Sequence, residues 1–380
     1  MESLRELLRD KFEANKRSDG GELAAAGPST APFTFAVLSF NVWFEYEHTF
    51  ADRMRAIFEL VGGAAAVGTR PSALALQELT PPQQALLRPQ LERLGFTSYV
   101  EQTDKKNGYW CALATRAPLG PVRDGRWRPF ACGSMMSRGL VLGSAHFAAP
   151  DDGRGGLIVL ASTHLESFVG EDMRATVCKM RKAQLAEAGR VLEAEVARLG
   201  ACAGVLLGDM NWDDTTDGDA TKLLGDRWLD GWEAAGRPAG AQYTYDGRVN
   251  GMLTHSFRSR LDRCFVWTPH AEPDDAPRCT VSLVGKSAIG RGLTLKKTMR
   301  RGGTRTLPLF ASDHFGLLVS VEIGARARAE SGAQPAVVLP PPPARERDAP
   351  EQRGAKRRPG PAHETSCTAG LSADEPIELE

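Results

Sequence analysis

One short polar segment carries the residue types in this sequence that are best suited to chemistry. It follows the apolar run 203–207, which is typical of a buried strand and stops at Gly208. Asp209 and Asn211 come next on alternate positions, so an extended chain would direct both side chains to one face at the end of the strand. A turn would use the same residue types. Other segments must therefore decide between a turn and an active site.

Polar residues also stand at the ends of other predicted strands. Mixed α/β sheets place their functional sites at strand ends, so this recurrence favours one shared site over a set of unrelated caps and turns. The residues are Asn41 after a strand that starts at Phe35, Glu78 after 72–76, His164 after 157–162, Asp262 within 260–267, and Asp313 and His314 before 315–323.

Two of these strand ends offer what a metal ion and a water molecule need. Glu78, with Asn41 near it, supplies hard oxygen ligands suited to a Mg²⁺ ion that keeps several waters and takes a phosphate oxygen of the substrate. Asp209 could orient and deprotonate a water for in-line attack on phosphorus. These residue types therefore indicate hydrolysis of a phosphate ester.

The remaining polar residues could stabilise the charge that develops on the phosphate. His164, His314 and Asn211 are possible donors to its oxygens. Asp262 could pair with His314 and keep that imidazole protonated and oriented. The sequence has no G-x-S-x-G segment and no G-x-x-x-x-G-K loop, which argues against a serine nucleophile and against the use of ATP.

Composition places the chain among ordinary globular proteins of the cell interior. Its 380 residues are 42% hydrophobic and 25% charged, with 47 basic and 47 acidic residues, so any attraction for nucleic acid must come from local patches. Seven dispersed cysteines without a C-x-x-C pair argue against disulfides and structural zinc. No apolar run is long enough to span a membrane, and the charged amino terminus is not a secretory signal.

The chain divides into three predicted parts. Residues 1–33 are expected to be a flexible leader, 34–324 a catalytic domain, and 325–380 a disordered tail rich in Pro, Ala, Arg and Glu. Within the domain, helices are predicted near 50–61, 81–94 and 171–199. The basic cluster 356–359 could be a nuclear import signal, so we expect the protein in the nucleus, with the cytoplasm as the alternative. The acidic end 375–380 could add a strand to a ubiquitin-like modifier.

In order along the chain, five motifs resemble the signature blocks of the endonuclease/exonuclease/phosphatase superfamily. They are Phe40-Asn41, 76–78, 163–167, 208–211 and 312–314. The resemblance extends over the whole predicted domain. It implies an α/β fold of the DNase I-like type, a four-layer sandwich in which two packed mixed β-sheets are flanked by helices.

Within that superfamily, four blocks are most similar to the branch that contains the 5′-tyrosyl-DNA phosphodiesterases: 163–167, 208–214, 243–246 and 260–263. Segments 41–44 and 211–214 resemble the plant members. This resemblance implies a Mg²⁺-dependent enzyme, with Mn²⁺ as a possible substitute. Its substrate would be DNA with a 5′-linked protein or peptide, as left by a trapped type II topoisomerase.

The resemblance also implies a role for each site residue. Glu78 would be the principal metal ligand, assisted by Asn41 and Asp313, and Asp209 would activate water. Asn211, His164, Ser167 and His314 would contact the phosphate, with Asp262 supporting His314. Tyr245 stands where the family has an aromatic residue, usually Trp, that lines the DNA groove.

Three further segments each allow two interpretations. The basic segment 286–305, with Lys296 and Lys297, could track DNA phosphates or be a solvated loop. Arg138 could contact the substrate, or it could be a surface residue beside a buried Met pair. The acidic segment 213–219 lacks the spacing of a calcium-binding loop, so a solvated loop is favoured.

The same catalytic set serves other enzymes, so alternatives remain for the substrate. They are abasic-site endonucleases, deadenylases and inositol phosphatases of the same superfamily. A non-catalytic adaptor that only binds DNA is a further alternative. The number of costly polar groups at strand ends argues against it, because a scaffold does not need them.

Overall fold

The computed structural model describes residues 32–45, 49–63, 70–147, 155–269, 276–299 and 302–324. Nearly all of the predicted leader and the whole predicted tail lie outside these residues, as do the basic cluster 356–359 and the acidic end 375–380. Arg300 and Arg301 of the basic segment also lie outside them. The predictions for these parts stay predictions.

The described chain alternates strands and helices. In order, the elements are β1 (Phe33–Asn41), α1 (Phe50–Gly63), β2 (Ala73–Leu79), α2 (Pro81–Arg93), β3 (Ser98–Glu101), β4 (Trp110–Thr115), β5 (Arg123–Pro129), β6 (Gly139–Phe147), β7 (Gly156–His164), α3 (Arg174–Leu199), β8 (Ala203–Asp209), α4 (Ala220–Leu224), β9 (Trp228–Asp230), α5 (Gly231–Ala234), β10 (Tyr245–Asp246), β11 (Arg258–Ser259), β12 (Asp262–Trp267), β13 (Arg278–Val284), β14 (Thr294–Thr298), β15 (Thr304–Pro308) and β16 (Gly316–Ile323).

Two six-stranded sheets form the body of the domain. The first has the order β13-β16-β1-β2-β4-β3 and the second the order β5-β6-β7-β8-β12-β9. Each sheet has one parallel pair near its centre, β1 with β2 and β7 with β8, and its other pairings are antiparallel. Helices α1 and α2 cover the first sheet and α3 covers the second. The predicted four-layer α/β sandwich is therefore confirmed.

Side-chain alternation along the strands separates the buried layers. In β1, Phe35 and Val37 pack between the sheets, whereas Leu38 and Phe40 pack against the helices. Successive side chains of a strand point to opposite faces, so Asn41 continues the set that lies between the sheets. The inner faces of the central strands thus run from an apolar core into a polar rim.

The strand register places three of the predicted site residues side by side. His164 of β7 pairs with Asp209 of β8, and Asp209 pairs with Asp262 of β12. The close approach of β7 and β8 requires Gly208, since a Cβ there would lie 1.9 Å from the carbonyl oxygen of Thr163. This glycine brings the two strand ends together.

A buried polar layer lies between the sheets next to this rim. Ser39 Oγ donates to Gln77 Oε1 at 3.4 Å, and Gln77 Nε2 donates to Ser162 Oγ at 3.3 Å. All three side chains are buried. These bonds tie the first sheet to the second immediately beneath the strand ends.

Several parts of the fold differ from the sequence prediction, among them the short elements β9, β10, β11, α4 and α5, which were not predicted. Strand β5 was not predicted. Much of the basic segment 286–305, for which a solvated loop was one of the two interpretations, forms a β14–β15 hairpin. The predicted long helix starts with a 3₁₀ turn, Glu171–Met173, and ends where Gly200 takes the left-handed conformation. Within the described residues, no helix has the length and apolar character needed to cross a membrane.

Candidate active site

Side chains from both sheets meet at the rim in one cluster. Ligand atoms of Glu78, His164 and Asp209 lie within 4.8 Å of one another, and so do those of Asp209, Asp262 and His314. Asp209 belongs to both sets. The sequence prediction that these five residues converge is therefore matched by the geometry, while their individual roles stay predictions.

Glu78 reaches this cluster only because its backbone departs from regular strand geometry. Alternation along β2 places Ala75 and Gln77 between the sheets and would turn Glu78 toward the helices. The residue instead has a φ of +59°, and the pairing of β2 with β4 shifts register between Leu76 and Leu79. Glu78 Oε1 can then accept a hydrogen bond from Asn41 Nδ2 at 3.1 Å. Such a conformation is costly in a non-glycine residue and concentrates at functional sites.

Asp209 lies at the centre of the cluster with both carboxylate oxygens occupied. Oδ2 accepts from Asn41 Nδ2 at 3.0 Å, and Oδ1 accepts from the backbone N–H of Asn211 at 2.9 Å. Burial alone would raise the pKa of Asp209, but His164, His314 and these hydrogen bonds outweigh it and hold the pKa below its ordinary value. The carboxylate is therefore ionised at neutral pH.

His164 faces Asp209 as a neutral imidazole. Its Nδ1 lies 2.9 Å from Arg138 Nη1, and because a guanidinium can only donate, Nδ1 must accept. The ring proton is then on Nε2, which lies 3.4 Å from Asp209 Oδ2. Burial, and next the positive charge of Arg138, lower the pKa of His164 well below its usual value. His164 is therefore an uncharged N–H donor aimed into the site.

His314 faces the same carboxylate in the opposite protonation state. Its Nδ1 lies 2.8 Å from Asp262 Oδ2, and its Nε2 lies 3.8 Å from Asp209 Oδ2. Burial would lower the pKa of His314, but the charges of Asp262 and Asp209 outweigh it and raise the pKa well above the usual value. Two imidazoles, one neutral and one charged, thus direct N–H groups to one buried carboxylate.

The other side of the cluster suits a hard cation. The Glu78 side chain is 13% exposed. Burial, and next the negative charge of Asp313, raise the pKa of Glu78 to about 7. A divalent ion stabilises a buried carboxylate beside a second acidic side chain, and carboxylate oxygens are the ligands that Mg²⁺ and Mn²⁺ take. The carboxyl groups present therefore fit a metal ion, and the roles of Glu78 and Asp313 as its ligands stay predictions.

Asn41 acts as a bridge in this arrangement. Its Nδ2 donates to both Glu78 and Asp209, while its Oδ1 accepts from the backbone N–H of Trp43 at 2.9 Å. The amide thus fixes the distance between the two carboxylates. Its predicted role as a metal ligand stays a prediction.

The cluster lies inside a region that matches a known protein family. The model of the endonuclease/exonuclease/phosphatase family matches residues 38–314, which include all the strand ends described above. The chain belongs to this family. The resemblance predicted from the five motifs is therefore confirmed.

The curated relatives that match share one name. Bovine tyrosyl-DNA phosphodiesterase 2 is 26% identical over 257 residues, which cover 67% of this chain and 59% of the relative. The chain therefore spans about three-fifths of that protein. Among solved structures, truncated TDP2 of Caenorhabditis elegans superposes with a TM-score of 0.58 at 21% identity, covering 76% of this chain and 97% of the other. TDP2 of D. rerio, complexed with a single-strand DNA product, gives 0.55 at 21% identity over 76% and 98%. These likenesses support the fold of the family.

In this family member, Arg138 belongs to the site. Its side chain is only 5% exposed. Its Nη2 donates to Ser167 Oγ at 3.1 Å, and Asn211 Nδ2 donates to the same oxygen at 3.1 Å. The alternative of a surface Arg beside a buried Met pair is wrong, because Met135 is 49% exposed and Arg138 is buried. Arg138, Ser167 and Asn211 together with His164 form a polar wall on one side of Asp209.

Aromatic rings lie beside His314. Tyr245 meets His314 edge-on at 5.1 Å between ring centroids and stacks on His255 at 5.7 Å. The phenol oxygen of Tyr245 lies 3.2 Å from His255 Nε2. Lys296 and Lys297 lie farther out, on β14. Their predicted contacts with substrate, and that of Tyr245, stay predictions.

The acidic segment 213–219 needs a correction. It is not uniformly solvated, because Asp217 is only 3% exposed. Both of its carboxylate oxygens accept from Arg181 of α3, at 3.0 to 3.2 Å, and one also accepts from the backbone N–H of Asp213. A buried ion pair pulls the segment onto the helix. The sequence gives no direct sign of it, because the partners are 36 residues apart.

Glu166 is a positioning residue. It lies in the motif 163–167, but the sequence analysis gave it no role. It is buried, and its carboxylate accepts from Ser134 Oγ, from the backbone N–H of Met135 and from Gln184 Nε2, all at 2.8 to 2.9 Å. These bonds fix the loop that leads to Arg138. The clue in the sequence is its position two residues after His164.

Arg53 was missed altogether. It lies on α1 with 0% exposure and donates to the carbonyl oxygens of Val42, Trp43, Glu45 and Ala311. The guanidinium thereby joins the loop after β1 to the segment that precedes Asp313. The sequence contains one sign of this role. Arg53 stands four residues before Ile57, so a charged residue falls within the apolar stripe of α1.

Replacing Arg53 with Met should lower the free energy of unfolding by about 3 kcal/mol or more, since four carbonyl groups lose a charged donor and two of those hydrogen bonds are buried. It should also lower turnover, because the two loops flank Glu78. The matched control is Arg55→Met in the same helix, which removes only a surface pair with Asp52 and should change stability by less than about 0.5 kcal/mol. Urea unfolding of both variants measures the difference, and equal losses would contradict the role given to Arg53.

Proposed function

We propose that the chain is a Mg²⁺-dependent phosphodiesterase that hydrolyses 5′-phosphotyrosyl-DNA bonds. The observation that carries this proposal is the ionised Asp209, which lies between the N–H groups of His164 and His314 with Glu78 beside it. A base flanked by two N–H donors suits attack by water on a centre that gains negative charge.

The residues divide the reaction between them. Asp209 orients a water and accepts its proton while the water oxygen forms a bond to phosphorus. His164 and His314 turn their N–H groups from Asp209 to the phosphate oxygens as charge develops there. Ser167 and Asn211 lie beside His164 and position the phosphate. When bound at Glu78 and Asp313, Mg²⁺ or the substitute Mn²⁺ would polarise a phosphate oxygen and offset its charge.

The proposed leaving group, the phenol of tyrosine, suits a site that holds one base and two N–H donors. The bond that breaks joins phosphorus to the phenol oxygen of tyrosine, and the products are a DNA 5′-phosphate and free tyrosine or peptide. A phenol has a pKa of about 10, so it departs far more readily than a sugar hydroxyl. The phenolate can therefore leave as the anion and take up a proton from solvent, to which Asp209 returns the proton of the attacking water.

The choice of substrate is supported by the relatives. The curated relatives that match are named tyrosyl-DNA phosphodiesterase 2, and a similar structure holds a single-strand DNA product. DNA with a 5′-linked protein or peptide is accordingly the proposed partner. Nuclear localisation follows from that substrate and from the cluster 356–359. A ubiquitin-like modifier as partner of 375–380 rests on the sequence alone.

A panel of substrates tests this proposal. The protein is assayed on a 5′-phosphotyrosyl oligonucleotide, an abasic duplex, poly(A) RNA and an inositol phosphate, each with Mg²⁺ and with EDTA. We expect Mg²⁺-dependent release of tyrosine to exceed the other three activities in kcat/KM by at least about 100-fold, about 3 kcal/mol of transition-state discrimination. Preference for another substrate would assign a different family activity. Binding of DNA without any turnover would indicate the adaptor.

A further inference from the structure

The β14–β15 hairpin forms a positively charged arm that the proposed reaction does not use. We propose that it binds the phosphate backbone of the DNA strand several nucleotides away from the bond that is cleaved. This inference rests on the proposed function. It adds a contact outside the catalytic cluster and predicts how activity depends on substrate length.

The charge arrangement of the hairpin favours an anionic partner. Lys297 and Arg305 are directly opposite each other in the register of β14 and β15, and Lys296 is exposed on the other face of the hairpin. Like charges placed opposite each other in a sheet destabilise it. The sequence has no acidic residue from 286 to 312, and among the described residues none of these three cations has a carboxylate partner. A chain of phosphates would supply the missing negative charge.

The hairpin is fixed to the catalytic segment by a small apolar core. Leu295 of β14 packs with Met252, Leu309, Phe310 and Phe315. The backbone N–H of Leu309 also donates to the carbonyl of Leu293 at 3.1 Å. The chain runs directly from β15 through this core to Asp313 and His314. The arm therefore has a defined position relative to the site.

A short path of side chains connects the arm to the reaction centre. Tyr245 lies 5.1 Å from His314, and His255 lies 5.7 Å from Tyr245, measured between ring centroids. Leu295, two residues before Lys297 on β14, packs in one cluster with Met252, which stands three residues before His255. After the larger effect of burial, the charge of Lys297 also lowers the pKa of His255. Measured through Tyr245, the His255 ring is at most about 11 Å from the His314 ring, which is about three nucleotides of a strand stacked as in a duplex, at 3.4 Å of rise each.

This geometry separates short substrates from long ones. A mononucleotide occupies the catalytic cluster without reaching Lys297, whereas a strand of a dozen nucleotides passes along the arm. Each phosphate contact with single-stranded DNA contributes about 0.7 to the slope of log affinity against log salt. Loss of two contacts should therefore lower that slope by about 1.4.

The test compares Lys297→Gln/Arg305→Gln with the control Lys222→Gln/Arg278→Gln, which removes two exposed cations from α4 and β13. On a 5′-phosphotyrosyl 12-mer at about 0.1 M salt, the arm variant should lose about tenfold in kcat/KM and about 1.4 in salt slope. On the p-nitrophenyl ester of thymidine 5′-phosphate it should match the parent. The control should match the parent on both.

Two results would overturn the inference. One is an unchanged kcat/KM and salt slope of the arm variant on the 12-mer. The other is an equal loss on both substrates, since that would mean that the arm only supports the fold of the site. Binding of an unmodified 5′-phosphorylated 12-mer, followed by fluorescence anisotropy, gives the same salt slopes without catalysis. If the parent cleaves neither substrate, the proposed function fails, and the anisotropy slopes still decide the inference.

Discussion

Replacing Asp209 with Asn should lower kcat on a 5′-phosphotyrosyl oligonucleotide by about 10³-fold or more, while the affinity for DNA changes only a few-fold. An amide cannot accept the proton of the attacking water, and general-base catalysis contributes about 10²- to 10⁴-fold. The substituted side chain also has one acceptor oxygen where two are used. Its NH₂ group would face either Asn41 and His164 or the backbone N–H of Asn211, all of which donate.

The donor conflict should also destabilise the Asp209→Asn protein by about 1 to 3 kcal/mol, so its folded state must be verified by thermal unfolding. Asp226→Asn is the matched control, because Asp226 is exposed on the loop between α4 and β9 and should leave kcat unchanged. Single-turnover kinetics separate chemistry from binding. Turnover of Asp209→Asn at the rate of the parent would show that another group accepts the proton.

The convergence of the site could be predicted because it follows from strand parity. Asn41, His164 and Asp209 each stand an even number of residues after apolar side chains that pack between the sheets: Val37, Leu160 and Leu207. Because side chains alternate along a strand, each of these polar residues points to the same inner face as the apolar side chains before it. The three polar residues therefore meet between the sheets. The motifs then identified the family, which the comparison confirmed.

The backbone at Glu78 could not be predicted. Side-chain alternation along β2 predicts that Glu78 points toward the helices. No residue type in 72–79 predicts the positive φ that turns it into the site. The β14–β15 hairpin was missed for a related reason: its strands are short and mostly exposed, so they lack the apolar alternation that reveals a buried strand.

The protonation states of the two histidines depend on partners that are distant in the sequence. Arg138 is 26 residues from His164, and Asp262 is 52 residues from His314. The pairing of Asp262 with His314 was predicted from chemical complementarity, but the contact that makes His164 a neutral donor was not. Sequence alone identified which residues meet and predicted a protonated His314, but it left the protonation state of His164 open.

The second large effect concerns Glu78 and the metal ion. A pKa of about 7 means that Glu78 binds a proton in the metal-free protein throughout the range from its unfolded value near 4.5 up to about 7. Its burial therefore destabilises the metal-free fold increasingly as the pH rises through that range, and fully above it. A metal ion must displace this proton, so metal affinity should be constant above pH 7 and fall about tenfold per unit below it.

Glu78→Gln removes both the titrating group and the principal ligand charge. In this variant the Mg²⁺ concentration for half-maximal turnover should rise by about 100-fold or more, and its change between pH 6 and pH 8 should disappear. Glu92→Gln, on the exposed face of α2, is the matched control and should behave as the parent.

The most direct test of the whole site is a Mg²⁺ titration of phosphotyrosyl-DNA hydrolysis at pH 6, 7 and 8 with the parent and Glu78→Gln. For the parent, we expect the half-maximal Mg²⁺ concentration at pH 6 to be about tenfold higher than at pH 8, and for Glu78→Gln a high value that does not change with pH. Hydrolysis that persists in EDTA, or equal Mg²⁺ requirements for the two proteins, would contradict a reaction centred on a cation at Glu78.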